Sequence, residues 1–269
     1  MTTIHHLDCG TMCPRAGRLL GLADDPHGTL VAHCLLLETA DGLVLVDTGF
    51  GTGDLASPRR IGPARFLLNP AFDPAGTAIA QVRALGHDPA DVRHVLVTHL
   101  DFDHAGGLGD FPGAEVHVHA TELEIARRRP ADVRLRYRPA QWAHHPRWVE
   151  HAAEGESWFG FEQVRVIDAG DTQIAMIPLH GHTAGHSGYA IRNGAGWLLH
   201  CGDAYLHHDE VAAPPVRTGA RTVYHRLNSH DARARQDNAD RLSDLARDHG
   251  SEVTLFCSHD PGDFARLTA

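Results

Sequence analysis

The stretch Thr98–Gly107 reads THLDFDHAGG. It follows the apolar run HVLV at His94–Val97, so a buried strand ends where two histidines and two aspartates arrive together, between His99 and His104. Imidazole and carboxylate in combination suit Zn, Fe, Mn and Ni. A loop at a strand end is backed by the core, which holds such groups rigidly. Gly106 and Gly107 let the chain turn sharply beside them.

The same event recurs three times. IAMIPL (Ile174–Leu179) runs into HGHTAGH, which carries His180, His182 and His186. WLLHCGD (Trp197–Asp203) delivers Asp203, and VTLFCSHD (Val253–Asp260) delivers His259 and Asp260. A single histidine at a strand end is ordinarily a satisfied polar residue. Four coincident clusters point instead to one metal centre. The five cysteines form no CxxC pair, which excludes a structural zinc knuckle.

Composition narrows the class. The 269 residues are 42% hydrophobic and 22% charged, as in a globular protein with ample core. A formal net charge of −10 counts against nucleic acid as a partner. No apolar run reaches bilayer-spanning length, and the opening MTTIHHLDCG has neither the basic nor the apolar part of a signal peptide. A cytoplasmic enzyme is expected, acting on a small-molecule substrate without nucleic-acid or membrane partners; a homodimer is left open. An odd number of cysteines fits reduced thiols. The one basic stretch, Arg127–Arg138, reads as a solvated helix and loop.

Leu- and Val-rich strands are expected at 30–39, 42–49, 94–97, 114–120, 164–167, 173–178, 188–192, 196–200 and 252–257. Helices are expected at 73–86 with Asp73 as N-cap, from Thr121 as cap, and at 230–249 with Ser229 as cap. Strands and helices mix in both halves. This predicts an α/β sandwich, two mixed sheets packed face to face with helices outside. A single domain over 1–269 is expected, with a loop and helical insertion at about 127–162 near the active site. That region holds Trp142, Trp148 and Trp158.

The ordered motifs resemble the metallo-β-lactamase superfamily of metal-dependent hydrolases. HLDFDH at 99–104 matches its HxHxDH signature, supported by VDTG at 46–49, GHTAGH at 181–186, CGD at 201–203 and SHD at 258–260. The resemblance implies the αββα sandwich of that family and a dinuclear site. One metal would take His99, Asp101 and His182, the other Asp103, His104 and His259. Asp203 would bridge them. Asp47 would orient the ligand loop by hydrogen bonds, and His186 would support the ligands. Within the superfamily, the chain is similar to the branch that opens N-acyl homoserine lactones. That similarity rests on IHHLDCGTMCP, HCLLLETADGLVLVDTGF, HLDFDHAGG and a tyrosine after the bridging aspartate, Tyr205 of GDAY. It implies a metal-bridging hydroxide attacking a lactone or ester carbonyl. Asp103 would relay the proton, and Tyr205 would donate to the oxyanion or leaving group. The Trp-bearing region 137–161 would either wall an apolar pocket for an acyl chain or form a surface flap packed for stability. A glyoxalase II-like thioester hydrolase, an iron-binding redox protein and a ligand sensor are the alternatives.

Asp101 departs from the signature, making it HxDxDH. Two divalent metals, three carboxylates and a bridging hydroxide sum to a neutral site, whereas histidine at 101 would leave one positive charge. A neutral site is a weaker Lewis acid, and hard carboxylates favour harder metals. The flavodiiron branch carries Glu at this position and binds two irons. Two divalent ions are therefore expected, zinc first, with iron or manganese admitted by Asp101.

Overall fold

Strands whose successive residues are all apolar bury both faces. In the computed structural model, which describes residues 2–22, 28–131, 133–152, 154–169 and 172–269, two six-stranded sheets form, their inner strands carrying continuous apolar runs such as Leu35–Leu37, Leu43–Val46 and Ile174–Ile177. The first has the order β1 (Thr3–Asp8), β2 (His33–Thr39), β3 (Gly42–Val46), β4 (Val92–Leu96), β5 (Glu115–His119), β6 (Arg147–His151). Its β1, β2 and β3 are antiparallel neighbours, and β3 to β6 run parallel. The second has the order β7 (Glu156–Trp158), β8 (Phe161–Ala169), β9 (Thr172–Pro178), β10 (Ser187–Asn193), β11 (Gly196–His200), β12 (Val253–Phe256). It is antiparallel except for the last pair.

Alternation along each strand sorts side chains into layers. Leu35, Leu37, Val44, Val46 and Leu96 of the first sheet meet Ile174, Met176, Tyr189, Ile191 and Phe256 of the second. The intervening residues face outward and are covered by helices. On the first sheet, Leu36, Leu45, Val95 and Val116 pack with Ala78 and Val82 of α4 (Ala78–Ala84) and Leu123 and Ala126 of α6 (Ala120–Arg128). On the second, Ile177, Ala190, Leu199 and Leu255 pack with Leu242 and Leu245 of α8 (Ala232–His249). The result is the expected αββα sandwich. Each fully buried Leu or Ile in these layers contributes about 1.5–3 kcal/mol. The remaining helices are α1 (Gly17–Leu20), α2 (Thr52–Ala56), α3 (Arg65–Leu68), α5 (Phe102–Ala105), α7 (Gly219–Asn228) and α9 (Pro261–Thr268).

Several local expectations are corrected. Asp73 caps a short 3-10 turn at Pro74–Gly76, and α4 begins only after Thr77. The cap of α6 is His119, whose ring accepts from Thr121 N, so Thr121 lies inside the helix. Asp231 rather than Ser229 caps α8, accepting from Arg233 N and Ala234 N. The stretch expected as an insertion carries β6 and β7, edge strands of the two sheets. All five cysteines are free thiols. Among the described residues, no helix is long and apolar enough to cross a membrane.

Candidate metal centre

Strands β3, β4, β9, β11 and β12 each lead directly into a segment that carries metal-capable or supporting residues. Immediately after β3 the backbone of Asp47 adopts a left-handed conformation (φ 57°), which costs a non-glycine residue about 1–2 kcal/mol. Hydrogen bonds hold it there. Asp47 N donates to Leu96 O at 2.9 Å. Its carboxylate accepts from Thr98 N (2.8 Å), Thr98 Oγ1 (2.7 Å) and His104 Nδ1 (2.8 Å). The loop after β4 is thereby tied to β3. One turn of helix, α5, then places Asp103 and His104.

Each imidazole is set by the partner of its Nδ1. The Thr98 hydroxyl donates to Asp47, so it accepts from His99 Nδ1 at 3.0 Å. His104 Nδ1 donates to Asp47, and His259 Nδ1 donates to Val31 O at 2.7 Å. In all three the Nε2 atom faces a shared space, the usual arrangement of a metal-binding histidine whose other nitrogen is anchored. His99, His182 and Asp203 place donor atoms within 4.8 Å of one another, and so do Asp103, His104 and His259. Asp203 stands between the two groups. Its Oδ1 lies 3.3 Å from His259 Nε2 and 3.4 Å from His104 Nε2, while its Oδ2 lies 3.4 Å from His182 Nε2 and 4.0 Å from His99 Nε2.

Asp203 is itself positioned by His186. The His186 Nε2 accepts from Asp203 N at 2.9 Å, and its Nδ1 donates to Leu179 O at 2.8 Å. Both ring nitrogens are thus engaged away from the donor groups. Gly202 makes this contact possible, since a Cβ there would lie 2.4 Å from His186 Nε2 and its φ is +56°.

The residues fit divalent metal. Asp203 Oδ1, facing His104 Nε2 and His259 Nε2, is buried without a hydrogen-bond partner, as are His99 Nε2 and Asp101 Oδ1 on the side that also faces Arg136, a costly state that positive charge held in this space would relieve. The donors are the imidazole and carboxylate set that zinc and its neighbours accept. Charge points the same way. Burial opposes a proton on His104, but the Asp203 and Asp47 carboxylates push its pKa up to about 10. Burial likewise opposes one on His259, which Asp203 raises to about 9. Metal would take the place of these protons.

Asp101 has a partner that residue spacing did not reveal. Arg136, read as part of a solvated basic run, is largely buried. Its Nη1 lies 3.0 Å from Asp101 Oδ2 and 2.9 Å from His182 Nε2, and its Nη2 donates to Asn228 O and Oδ1. Burial works against ionisation of Asp101, yet Arg136, and then His99, hold its carboxyl well below the usual range. Burial and then Arg136 lower His182 to about 3, so its ring is neutral. The sequence-based charge count omitted this guanidinium, which restores the positive charge that Asp101 removes.

Glu122 was also missed. It is fully buried on α6. Its Oε1 accepts from Leu100 N and Tyr137 Oη, both at 2.9 Å; Oε2 accepts from Thr183 Oγ1 at 2.7 Å and Gly185 N at 3.1 Å. One carboxylate therefore joins the loop after β4 to the loop after β9. The only sequence signal was a glutamate in the first turn of an otherwise ordinary helix.

A cavity of about 610 Å³ opens above these groups. Asp101, Asp103, His182, Asp203 and His259 form its polar part, and Met12, Leu20, Leu22, Leu30, Phe102 and Leu135 are among its apolar walls. One expectation fails here, and one open alternative is decided. Tyr205 does not line it; the ring is buried in the outer core of the second sheet with Leu242 and Val211, because the turn after Asp203 directs it inward. Tyr224 of α7 lines the cavity instead, its hydroxyl accepting from Asn228 Nδ2 at 3.2 Å. Burial, Asp203 and Asp103 push the Tyr224 phenol well above its ordinary value, so it stays protonated. The tryptophans are not in the cavity wall either. Trp142 and Trp148 pack on the first sheet's outer core, and Trp158 packs on the second's.

Comparison with known proteins agrees with this architecture. A "Probable metallo-hydrolase" of Mycobacterium tuberculosis is 43% identical over 269 residues, covering 99% of this chain and 83% of the relative. An N-acyl homoserine lactonase of Agrobacterium fabrum is 31% identical over 154 residues, 54% of each chain. The solved structure of an N-acyl homoserine lactone hydrolase with the product N-hexanoyl-L-homoserine at its catalytic metal centre superposes with a TM-score of 0.71. It covers 99% of this chain and 95% of that one at 20% identity, a likeness of fold. The family model of the metallo-beta-lactamase superfamily matches residues 27–248. With the sandwich, the strand-end donors and a match over most of its length, the chain belongs to the metallo-beta-lactamase superfamily.

Proposed function

We propose that this metallo-hydrolase opens lactones or esters that carry an apolar acyl tail. The observation that carries the reading is the cavity, in which one polar patch of imidazoles and carboxylates meets an apolar wall. Similarity over part of the chain to proteins named N-acyl homoserine lactonases supports the lactone.

His104, His259, Asp103 and Asp203 would hold a divalent ion, zinc before iron or manganese, with His99, His182 and Asp101 adjoining. Bound metal supplies Lewis acidity and a lowered pKa for water. Asp103 faces the cavity and can accept the proton that water loses on attack. Tyr224, a protonated phenol in the cavity, takes the role that the resemblance implies for Tyr205: it donates a hydrogen bond to the oxygen on which charge develops. Asp47, His186 and Glu122 fix the loops, so donors need not reorganise during reaction. Leu20, Leu22, Leu30 and Leu135 receive the tail.

The reading predicts that kcat/KM rises with tail length. Burying a methylene contributes about 0.8 kcal/mol, or about fourfold per carbon until the cavity is filled. A homologous series of N-acyl homoserine lactones, with matched acyl thioesters, measures this. A flat profile, or a preference for the thioesters, contradicts it.

A further inference from the structure

We propose that the Arg136 guanidinium takes the place of one metal ion, so that this chain holds a single tightly bound metal, at Asp103, His104, His259 and Asp203. The inference rests on the metallo-hydrolase reading and deepens it.

One lone pair is contested. A guanidinium is always a donor. His182 Nε2 lies 2.9 Å from Arg136 Nη1 and 3.2 Å from Asp101 Oδ2; a hydrogen on it would oppose the nearer guanidinium N–H, so Nε2 is the acceptor. Neutral imidazole has one lone pair at that nitrogen, and a metal on the His99–Asp101–His182 side would need the same pair. The Asp101 Oδ2 atom is also engaged by Nη1, at 3.0 Å. The two shortest contacts of Nη1 are thus with two prospective ligands, and His182 O is a longer third at 3.4 Å.

Arg136 is held in place from behind. Its Nη2 donates to both oxygens of Asn228, at the end of α7, and its side chain is only 17% exposed. Swinging it away would break these bonds and strand the cation. Charge alone does not choose between one metal and two. One divalent ion with one guanidinium neutralises Asp101, Asp103 and Asp203; two ions with the guanidinium match the charge of a site with histidine at 101. Geometry decides. On the other side His104 and His259 have their Nδ1 atoms anchored, their Nε2 atoms lie 3.3 Å apart, and no guanidinium or ammonium group approaches those atoms among the described hydrogen bonds and ion pairs. Asp101 and Arg136 form one unit: the carboxylate at the altered motif position is there to seat the guanidinium.

The test is metal content, read by mass spectrometry on untagged protein equilibrated with zinc and desalted. One ion per chain is expected for wild type, rising to two in Arg136→Met, with circular dichroism confirming that the variant is folded. His182→Ala should keep the wild-type ion and His259→Ala should lose it, a contrast that decides the matter even where Arg136→Met does not fold. Two tightly held ions in wild type overturn the proposal. A folded Arg136→Met that stays at one ion overturns it, as does loss of the ion in His182→Ala. Wild type with no bound ion overturns the metallo-hydrolase reading as well.

Discussion

Asp203→Ala is expected to empty the metal centre and to lower turnover by about a thousandfold or more, while the fold persists. The size follows from what the centre provides, several kcal/mol of charge stabilisation at the reacting carbonyl. Asp203 is the residue whose two oxygens face opposite groups of histidines, Oδ1 toward His104 and His259, Oδ2 toward His99 and His182. Its removal leaves those imidazoles without their shared counter-charge. The sheets do not depend on it, because the layer between them is built from side chains such as Leu35, Val46, Met176 and Tyr189. Metal analysis with far-ultraviolet circular dichroism checks both halves. Wild-type metal content in the variant would show that Asp203 is not a ligand.

Glu122→Ala should destabilise the protein by about 4 kcal/mol, at the upper end of what single substitutions do. Four donors, Leu100 N, Tyr137 Oη, Thr183 Oγ1 and Gly185 N, lose a buried acceptor together. Each unsatisfied donor costs about 1–3 kcal/mol, with partial relaxation offsetting the sum. For a chain of this size that corresponds to a thermal midpoint lower by about 10 °C. Activity should also fall about 10- to 100-fold in the variant that remains folded, since both ligand loops lose their tie. Glu122→Gln, which keeps one acceptor oxygen, should lose less. A midpoint within about 2 °C of wild type would mean that the loops are held by other contacts.

Much of this architecture is legible in the order of residues alone. Val95, Val97, Leu198 and Leu199 announce buried strands because every residue there is apolar, and the histidines and aspartates that follow mark strand ends. The edge strands were not legible. RWVEH of β6 and ESW of β7 mix exposed and half-buried residues, so they lack the continuous apolar pattern of the inner strands. The helix α7 was missed because GARTVYHRLN buries little besides Arg221 and His225. Side-chain direction at a tight turn was beyond reach as well. Tyr205 follows Asp203 by two positions yet points into the core, while Tyr224 arrives from a helix remote in sequence. Arg136 and Glu122 share one reason for being overlooked. Charged residues in polar stretches are usually solvated, and only tertiary packing turns these two inward.

Metal-dependent hydrolysis in this cavity stands or falls on removal and return of the metal. Hydrolysis of an N-acyl homoserine lactone is followed after the protein has been stripped by chelator, and again after zinc is restored. Activity is expected to disappear on stripping and to return with zinc in step with metal bound per chain. Undiminished hydrolysis by fully stripped protein would contradict it, as would failure of any metal to restore turnover in a protein that remains folded.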